Sequence, residues 1–318
     1  MRAVVRLSAI LSIAWVTPLL AQQSDCAAYG GTTRRVCDAA ADGTRALHPV
    51  AGLLVSAGNP VLGTAGTLGG LGHFSLTLRA NAACVVLPET GYDGTAATVP
   101  ASDELYAPVP LVEGGAGIYG GMPSGLLAID LLLSAQLLPT DQLDNLAVEQ
   151  GARRIGDIAL GLGYGARVGI LGELGPVPAV SLSLMRRDIP ELAYGNLEEG
   201  DQYRYAVDLH ATNVRLVASK HLATLEVAAG LGWDQYTGDA VIQFRDPATS
   251  ELEPPIELDL DQSRALLFLD AGLDLRALRL VGEFGYQMGK DQELSTDFED
   301  FDTTSGKVFG SLGVRVAF

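Results

Sequence analysis

The stretch that decides the fold is Gly306–Phe318, which reads GKVFGSLGVRVAF. In an extended chain, Lys307, Ser311 and Arg315 point to one side. The other side carries the apolar set Val308, Leu312, Val314, Val316 and Phe318. Strict period-two alternation of this kind predicts a β-strand with one apolar and one polar face. Taken alone, the pattern fits either a strand of a membrane barrel or the last strand of a soluble β-sandwich.

The same alternation recurs upstream and predicts nine further strands. In chain order, the predicted strands cover residues 72–87, 106–113, 127–138, 155–171, 179–187, 203–218, 223–233, 264–273, 277–288 and 306–318. The second is weak, because Pro108 and Pro110 cannot donate ladder hydrogen bonds. In the sixth, the apolar residues change phase near Asn213, which predicts a β-bulge there.

Short and long connections alternate along this series of strands. Residues 274–276 form a short turn, for example, whereas 289–305 is long and acidic. Outer-membrane barrels sort their connections in this way, with short periplasmic turns, long external loops and an even strand number. We therefore predict an all-β fold, an antiparallel transmembrane β-barrel of about ten strands. The count becomes twelve if 51–70 or 234–263 contributes a pair.

The N-terminal end predicts export. Arg2 and Arg6 precede a short apolar run, and Ala21 offers a cleavage site, so residues 1–21 are typical of a secretory signal peptide. We divide the rest into an N-terminal segment, 22–70, that lies in the periplasm or plugs the lumen, and a barrel, 71–318. The predicted location is the outer membrane of a Gram-negative envelope. Only helices and closed barrels can span lipid, and no other stretch is long and apolar enough for a helix.

Composition narrows the function classes. The net charge of −17 argues against nucleic acid as a partner. The chain is nevertheless 48% hydrophobic, so apolar and charged residues must occupy separate surfaces. Cys26 and Cys37 lie eleven residues apart in the exported segment, and they either form a disulfide or remain as two thiols.

The inward faces of the predicted strands carry charges of both signs. The candidate lumen-lining residues are Arg79, Asp130, Asp157, Arg167, Arg204, Asp208, His210, Arg215, Glu226, Arg264, Asp270, Arg279, Glu283, Lys307 and Arg315. Such charges must be paired or hydrated. The lumen is then either filled by ion-paired side chains or lined as a wet channel, and ten strands favour a filled or narrowly open lumen.

Three resemblances add to this reading. The last strand, ending on Phe318, resembles the closing strand of outer-membrane barrels, which implies that Phe318 is an assembly signal read by the barrel-assembly machinery. Leu47-His48-Pro49, Gly72-His73-Phe74-Ser75-Leu76 and Gly121-Met122-Pro123-Ser124-Gly125 resemble a poorly characterised group of bacterial exported barrel proteins, over about half the chain. The layout, with a plugging N-terminus, is similar to that of long-chain fatty-acid transporters. These resemblances imply a β-barrel and no particular activity.

The leading functional hypothesis is a narrow, porin-like pore or passive transporter for a small-molecule solute, in contact with outer-membrane lipid. The alternative is a closed structural or adhesive barrel that acts through its external loops. A barrel-borne hydrolase using Asp208 and His210 ranks third, and we expect no enzyme activity, because no nucleophile elbow or zinc motif is present. We expect no cofactor and no metal, because the acidic loop at 289–305 lacks the spacing of a calcium loop.

Overall fold

The protein is a closed barrel of ten antiparallel strands, which confirms the predicted fold class and strand number. The computed structural model describes residues 25–122, 125–139, 146–148, 154–155, 158–302 and 304–318. The predicted signal peptide, its cleavage site and Asp157 lie outside these residues. Within them, no helix combines the length and hydropathy that crossing a membrane requires.

One helix precedes the ten barrel strands. The helix, α1, is Gly31–Ser56, and the strands are β1 Phe74–Pro88, β2 Ala101–Tyr119, β3 Ile129–Pro139, β4 Ile158–Leu171, β5 Ala179–Tyr194, β6 Tyr203–Leu222, β7 Leu225–Phe244, β8 Ile256–Leu275, β9 Leu278–Gln287 and β10 Lys307–Ala317. Each strand pairs with its neighbours in the chain, and β1 pairs with β10 from Ser75↔Ala317 to Ala83↔Phe309, which closes the barrel. Short strands flank the barrel: Thr98–Val99 pairs with Asp297–Phe298, Leu146–Val148 with β5, and Arg154–Ile155 with β4.

The connections at one end of the barrel are mostly shorter than those at the other, except that 120–128 has nine residues and 195–202 has eight. Residues 120–128, 172–178, 223–224 and 276–277 lie at the end that holds Phe74 and Phe318, which we call the short-connection end. Residues 89–100, 140–157, 195–202, 245–255 and 288–306 connect strands at the opposite, long-connection end. That the short-connection end faces the periplasm remains a prediction.

Several strands are longer than the sequence pattern predicts. β2 includes Pro108 and Pro110, which pair with β1. The ladder between β2 and β3 ends at Leu111, so within the described residues the proline segment pairs with β1 alone, as suits residues without an N–H. β7 and β8 extend through 240–244 and 256–260, which pair with each other and leave a shorter loop than predicted.

An apolar band covers the outside of the barrel. Its members alternate with buried residues along each strand, and they include Leu76, Leu78, Leu131, Leu133, Leu182, Leu184, Leu231, Trp233, Leu267, Leu269, Leu280, Phe284, Leu312 and Val314. Each is more than a third exposed to the surroundings of the barrel. A continuous outward band of large apolar side chains is what a barrel presents to lipid, and it would be a liability in water.

Beyond this band, toward the long-connection end, the polarity of the wall reverses. Tyr203, Tyr205 and Leu209 are buried, because they point inward. Arg204, Asp208 and His210 therefore lie on the outward face, and the prediction that they line the lumen is corrected. This arrangement is expected of strands surrounded by water instead of lipid, because apolar side chains are then favoured inside and polar ones outside.

The same reversal corrects the predicted bulge in β6. Its inward set runs without interruption through Leu209, Asn213 and Arg215, and its pairing with β7 keeps one register. The apolar residues change face because the surroundings change, not because the strand slips. A register shift does occur nearby, but it lies in β5, between Ile189 and Leu192.

Helix α1 lies inside the barrel. Its first half packs against inward residues of β6, β7 and β8 at the long-connection end, including Tyr205, Ile242 and Leu258. Its second half reaches β1 and β7, where Asn81 donates to the Leu54 carbonyl. A helix surrounded by a barrel wall has to bury all of its faces, which is why small residues such as Ala39 and Ala40 recur along it.

Candidate functional site: the occupied lumen

The lumen holds α1 and the coil that follows it, residues 57–72, which together we call the plug. The plug passes from the long-connection end to the start of β1 at the opposite end. Side chains from β1, β3, β6, β7, β8, β9 and β10 hydrogen-bond to plug residues. These seven of the ten strands lie on several sides of the barrel, so the coil must run through its interior.

A chain of buried charged and polar side chains surrounds the end of the helix. Glu113 binds Arg79 and Arg187, at 3.2 and 3.1 Å. Asn213 accepts a hydrogen bond from Arg187 and donates to Asp234. Asp234 in turn pairs with Arg215 at 2.6 Å. The members of this chain, which we call the polar ring, are Arg79, Glu113, Arg187, Asn213, Asp234 and Arg215.

The polar ring binds the backbone of the plug. Arg79 donates to the carbonyls of Ala57 and Asn59, at 3.1 and 3.0 Å. Arg215 donates to the carbonyls of Ser56 and Gly58, at 3.1 and 2.8 Å. The last carbonyls of a helix have no partner within the helix. Arg215 supplies such a partner for Ser56, the last residue of α1, and the other three carbonyls belong to the coil that follows. Each arginine keeps a carboxylate beside it, so neither charge is buried alone.

A second set of contacts holds the coil closer to the short-connection end. Asp130 accepts from the Leu68 amide at 3.2 Å and pairs with Arg167 at 2.7 Å. Glu226 accepts from Thr64 at 2.6 Å, and Arg315 donates to the Leu62 carbonyl at 3.1 Å. The coil is therefore anchored by charge-assisted hydrogen bonds, which are stronger than neutral ones.

Two buried carboxylates differ from the rest, because no cation pairs with them in the described chain. Asp270 on β8 stands directly opposite Glu283 on β9. Both bind Asn59 of the plug: its side-chain amide donates to Asp270 at 2.7 Å, and its backbone N–H donates to Glu283 at 2.7 Å. Gly58 lies against the Glu283 carboxylate, where a Cβ would overlap the oxygens. Gly58 therefore has no room for a side chain beside this pair.

The long connections fasten onto the outer end of the helix. Asp42 of α1 accepts from the backbone of Ser295 and Thr296, both at 2.9 Å. Thr33 donates to Asp246 at 3.1 Å. Cys26 and Cys37 form a disulfide that ties the segment before the helix to its second turn. The start of the plug is therefore joined to two of the long connections.

Ionisable groups in the connections are held as anions. At the short-connection end, Glu173 accepts from Lys220 and His221, each at 2.7 Å, and these bonds lower the pKa of Glu173 to about 2. At the opposite end, hydrogen bonds from Ser305 and Thr304 lower the pKa of Asp302 to about 2. Both carboxylates are therefore charged across the physiological pH range, and their hydrogen bonds hold the connections in place.

Most of the predicted lumen residues face inward. Arg79, Asp130, Arg167, Arg215, Glu226, Arg264, Asp270, Glu283 and Arg315 are buried inside the wall, and Arg279 and Lys307 are partly buried there. Sequence reasoning missed Glu113, Asp234 and Asn59. Asp234 lies eight residues after Glu226 on β7, so the period-two alternation places both side chains on the inward face. The predicted strand ended at Trp233, one residue before it.

The predicted pair Asp208 and His210 is exposed on the outer wall. His210 Nδ1 lies 2.8 Å from Asp188, whereas its Nε2 is 3.8 Å from Asp208. This cluster is open to solvent and belongs to no cavity of the barrel interior. In the part of the chain that the structure describes, no group of three or more His, Cys, Asp or Glu residues is arranged to hold a metal ion.

Comparison with known proteins finds only distant likenesses. No protein-family model and no curated protein matches the chain. Among solved structures, the outer-membrane protease OmpT from Escherichia coli matches at 12% identity and a TM-score of 0.37, over 77% of this chain and 96% of that one. The translocator domain of the autotransporter NalP from Neisseria meningitidis matches at 13% identity and a TM-score of 0.36, over 87% and 98%.

These structures are too distant from this chain to support a conclusion about its activity. The class of protein follows instead from the structure of the chain itself. Ten strands close into a barrel, large apolar side chains face outward, and charged side chains face inward. An apolar outer wall is unfavourable for a barrel in water, whereas a barrel that spans lipid requires one. The chain is an outer-membrane β-barrel protein.

Proposed function

We propose that this barrel is closed at rest and acts through its long-connection end, where the start of the plug and the long loops form one surface. The observation that carries the proposal is the anchoring of the coil, residues 57–72, by the polar ring and by Asp130, Glu226 and Arg315. A solute cannot pass while these bonds persist. This reading corresponds to the closed structural or adhesive barrel that the sequence offered as an alternative.

Passive transport remains a second candidate, and one observation favours it. Asp270 and Glu283 hold Asn59 without a cation beside them, so this part of the contact between plug and wall is weaker than the polar ring. A plug that released here could open a passage between β8, β9 and the coil. Transport would then be gated by the plug.

Conductance in planar bilayers separates the two functions. We expect the purified, folded protein to show no steady channel. As the matched variant, Arg79→Gln with Arg215→Gln removes the two side chains that bind the plug backbone, and we expect conductance steps to appear in it. Folding of each sample is checked by the shift of the gel band on heating.

Steady conductance by the unaltered protein would contradict a barrel that is closed at rest. Conductance that appears only with an added solute would favour gated transport instead. If the double variant folds and remains closed, the polar ring is not what holds the plug in place.

A further inference from the structure

Two acidic side chains face each other inside the wall, on neighbouring strands. Asp270 of β8 stands directly opposite Glu283 of β9, and the two residues are 4% and 7% exposed. Their carboxyl groups are close enough for a hydrogen bond between the side chains. An ionised carboxylate can only accept hydrogen bonds, so a bond between the two forms only when one of them carries a proton.

The donors around the pair leave carboxyl oxygens without a partner. Asp270 Oδ2 accepts from the Asn59 side chain at 2.7 Å, but Asp270 Oδ1 is buried and has no donor among the described residues. Ser311 Oγ lies 3.4 Å from Glu283 Oε1, but its single hydrogen has a nearer acceptor in Asn81 Oδ1, at 2.7 Å. A proton on one of the two acids would supply a missing donor.

The elements packed against the pair bring no cation to it within the described chain. The coil that covers it, residues 57–72, contains no charged residue. The inward charged residues of the surrounding strands have other partners: Arg79 of β1 binds Glu113, Glu226 of β7 and Asp274 of β8 bind Arg279 of β9, Arg264 of β8 donates to Gln262 and the Ser263 carbonyl, and Arg315 of β10 donates to the Leu62 carbonyl. Two ionised carboxylates here would be buried, unpaired and beside a like charge, which is costly.

We propose that the Asp270–Glu283 pair takes up one proton from solution as the pH falls, and that this proton fastens the plug to the wall. The proton replaces the repulsion between two carboxylates by a hydrogen bond between them. It is a property of the pair and not of either residue, because the two acids titrate together.

Loss of the proton should loosen the plug, because the coil lies directly over the pair. Asn59 donates to both carboxyl groups, and Gly58 lies against Glu283. Two buried charges without a cation need water, and water reaches them when the coil moves away. The pair is then a pH-sensitive contact, tighter in acid and looser in alkali, whether the barrel stays closed or transports.

Infrared spectroscopy of the full, folded protein in detergent detects the proton, because a protonated carboxyl absorbs apart from a carboxylate and shifts in heavy water. Between about pH 9 and about pH 6, where exposed acids remain ionised, we expect a carboxyl band to grow as the pH falls. Asp270→Asn and Glu283→Gln should each lack it, because the new amide can donate to the remaining carboxylate.

Heat stability measures the consequence of the proton. The two acids face each other only in the folded barrel, so the folded state binds the proton more readily than the unfolded chain, and stability falls as the pH rises. From about pH 6 to about pH 9, the temperature at which the folded gel band disappears should fall more in the unaltered protein than in Asp270→Asn. Glu173 and Asp302 do not contribute over this range, because the pKa of each is about 2.

Amide hydrogen exchange measures the plug itself. Over the same pH range, exchange in residues 57–72 should accelerate more in the unaltered protein than in Asp270→Asn, which corrects for the intrinsic effect of pH. Equal acceleration in the two proteins would show that the proton does not fasten the coil.

The matched control is Asp259→Asn. Asp259 is on the same strand as Asp270 and stands directly opposite Asp239, but this second pair is exposed on the outer wall. Asp259→Asn should keep the infrared band and the pH dependence. A missing band in the unaltered protein, or a pH dependence that Asp270→Asn leaves intact or that Asp259→Asn also removes, would overturn the proposal. Glu283→Gln gives the same test if Asp270→Asn does not fold.

Discussion

At the scale of single residues, the interior distinguishes carboxylates that have a cation from those that do not. Asp234 lies 2.6 Å from Arg215 and accepts from Tyr236 at 2.8 Å. Among the described residues, Asp270 accepts from Asn59 and the Gly63 amide and pairs with no cation, and it faces a second carboxylate across the strand pair. Both aspartates are buried, so the main difference between them is their electrostatic surroundings.

The variant Asp270→Asn should therefore be tolerated. It removes a buried negative charge that repels Glu283, and the asparagine can still accept from Asn59. We expect the temperature at which the folded gel band disappears to stay the same or to rise.

The comparison variant is Asp234→Asn, which leaves Arg215 without its carboxylate. Breaking a buried pair in this way costs about 3–5 kcal/mol, so the same temperature should fall clearly. Equal losses in Asp234→Asn and Asp270→Asn would show that Asp270 is stabilised by a partner other than Asn59 and Gly63.

At the scale of elements, α1 is a helix that is sterically fitted to the wall. Gly52 faces the ring of Tyr236, and a Cβ at that position would lie 2.4 Å from Cδ1. Gly43 is in the same helix, but a Cβ there would be 3.4 Å from Pro88, an ordinary contact. The two glycines share a helix and differ in the space beside them.

We predict opposite effects of alanine at these two positions. Alanine favours a helix over glycine by about 1 kcal/mol, so Gly43→Ala should leave stability unchanged or raise it. Gly52→Ala should lower it by about 1–3 kcal/mol, the usual cost of overpacking, because Tyr236 must move. Urea unfolding of both variants in detergent gives the difference, and a Gly52→Ala protein as stable as Gly43→Ala would mean that α1 is not packed against β7 as described.

The strands and the plug also show which features sequence patterns can predict and which they cannot. Alternation located the ten strands because the apolar band faces lipid along a whole crossing. It misplaced Arg204, Asp208 and His210, because period-two alternation does not say which face is inside. Beyond the band, the apolar face turns inward, toward α1. The plug contacts of Asn59 and Asp130 depend on residues far apart in the chain, and no local pattern encodes them.

At the scale of the whole molecule, the direction of the plug decides which end of the barrel carries the N-terminal segment. Cys26, Val36 and Cys37 pack with Tyr203 and Phe244 at the long-connection end. The chain then descends through the lumen and enters β1 beside Phe318, where Phe74 and Phe318 exchange backbone hydrogen bonds. The segment before the helix and the end of the last strand therefore lie at opposite ends of the barrel.

If the long connections face the outside of the cell, as in other outer-membrane barrels, the segment before α1 is at the cell surface. An epitope inserted before Asp25 should then be labelled by antibody on intact cells. The control is the same epitope at Gly175, in the connection 172–178 at the opposite end, where a Cβ meets no atom within 4 Å. That epitope should be labelled only after the outer membrane is permeabilised. Labelling of Gly175 but not of Asp25 on intact cells would mean that the barrel is inserted the other way up, and the proposed acting surface would then face the periplasm.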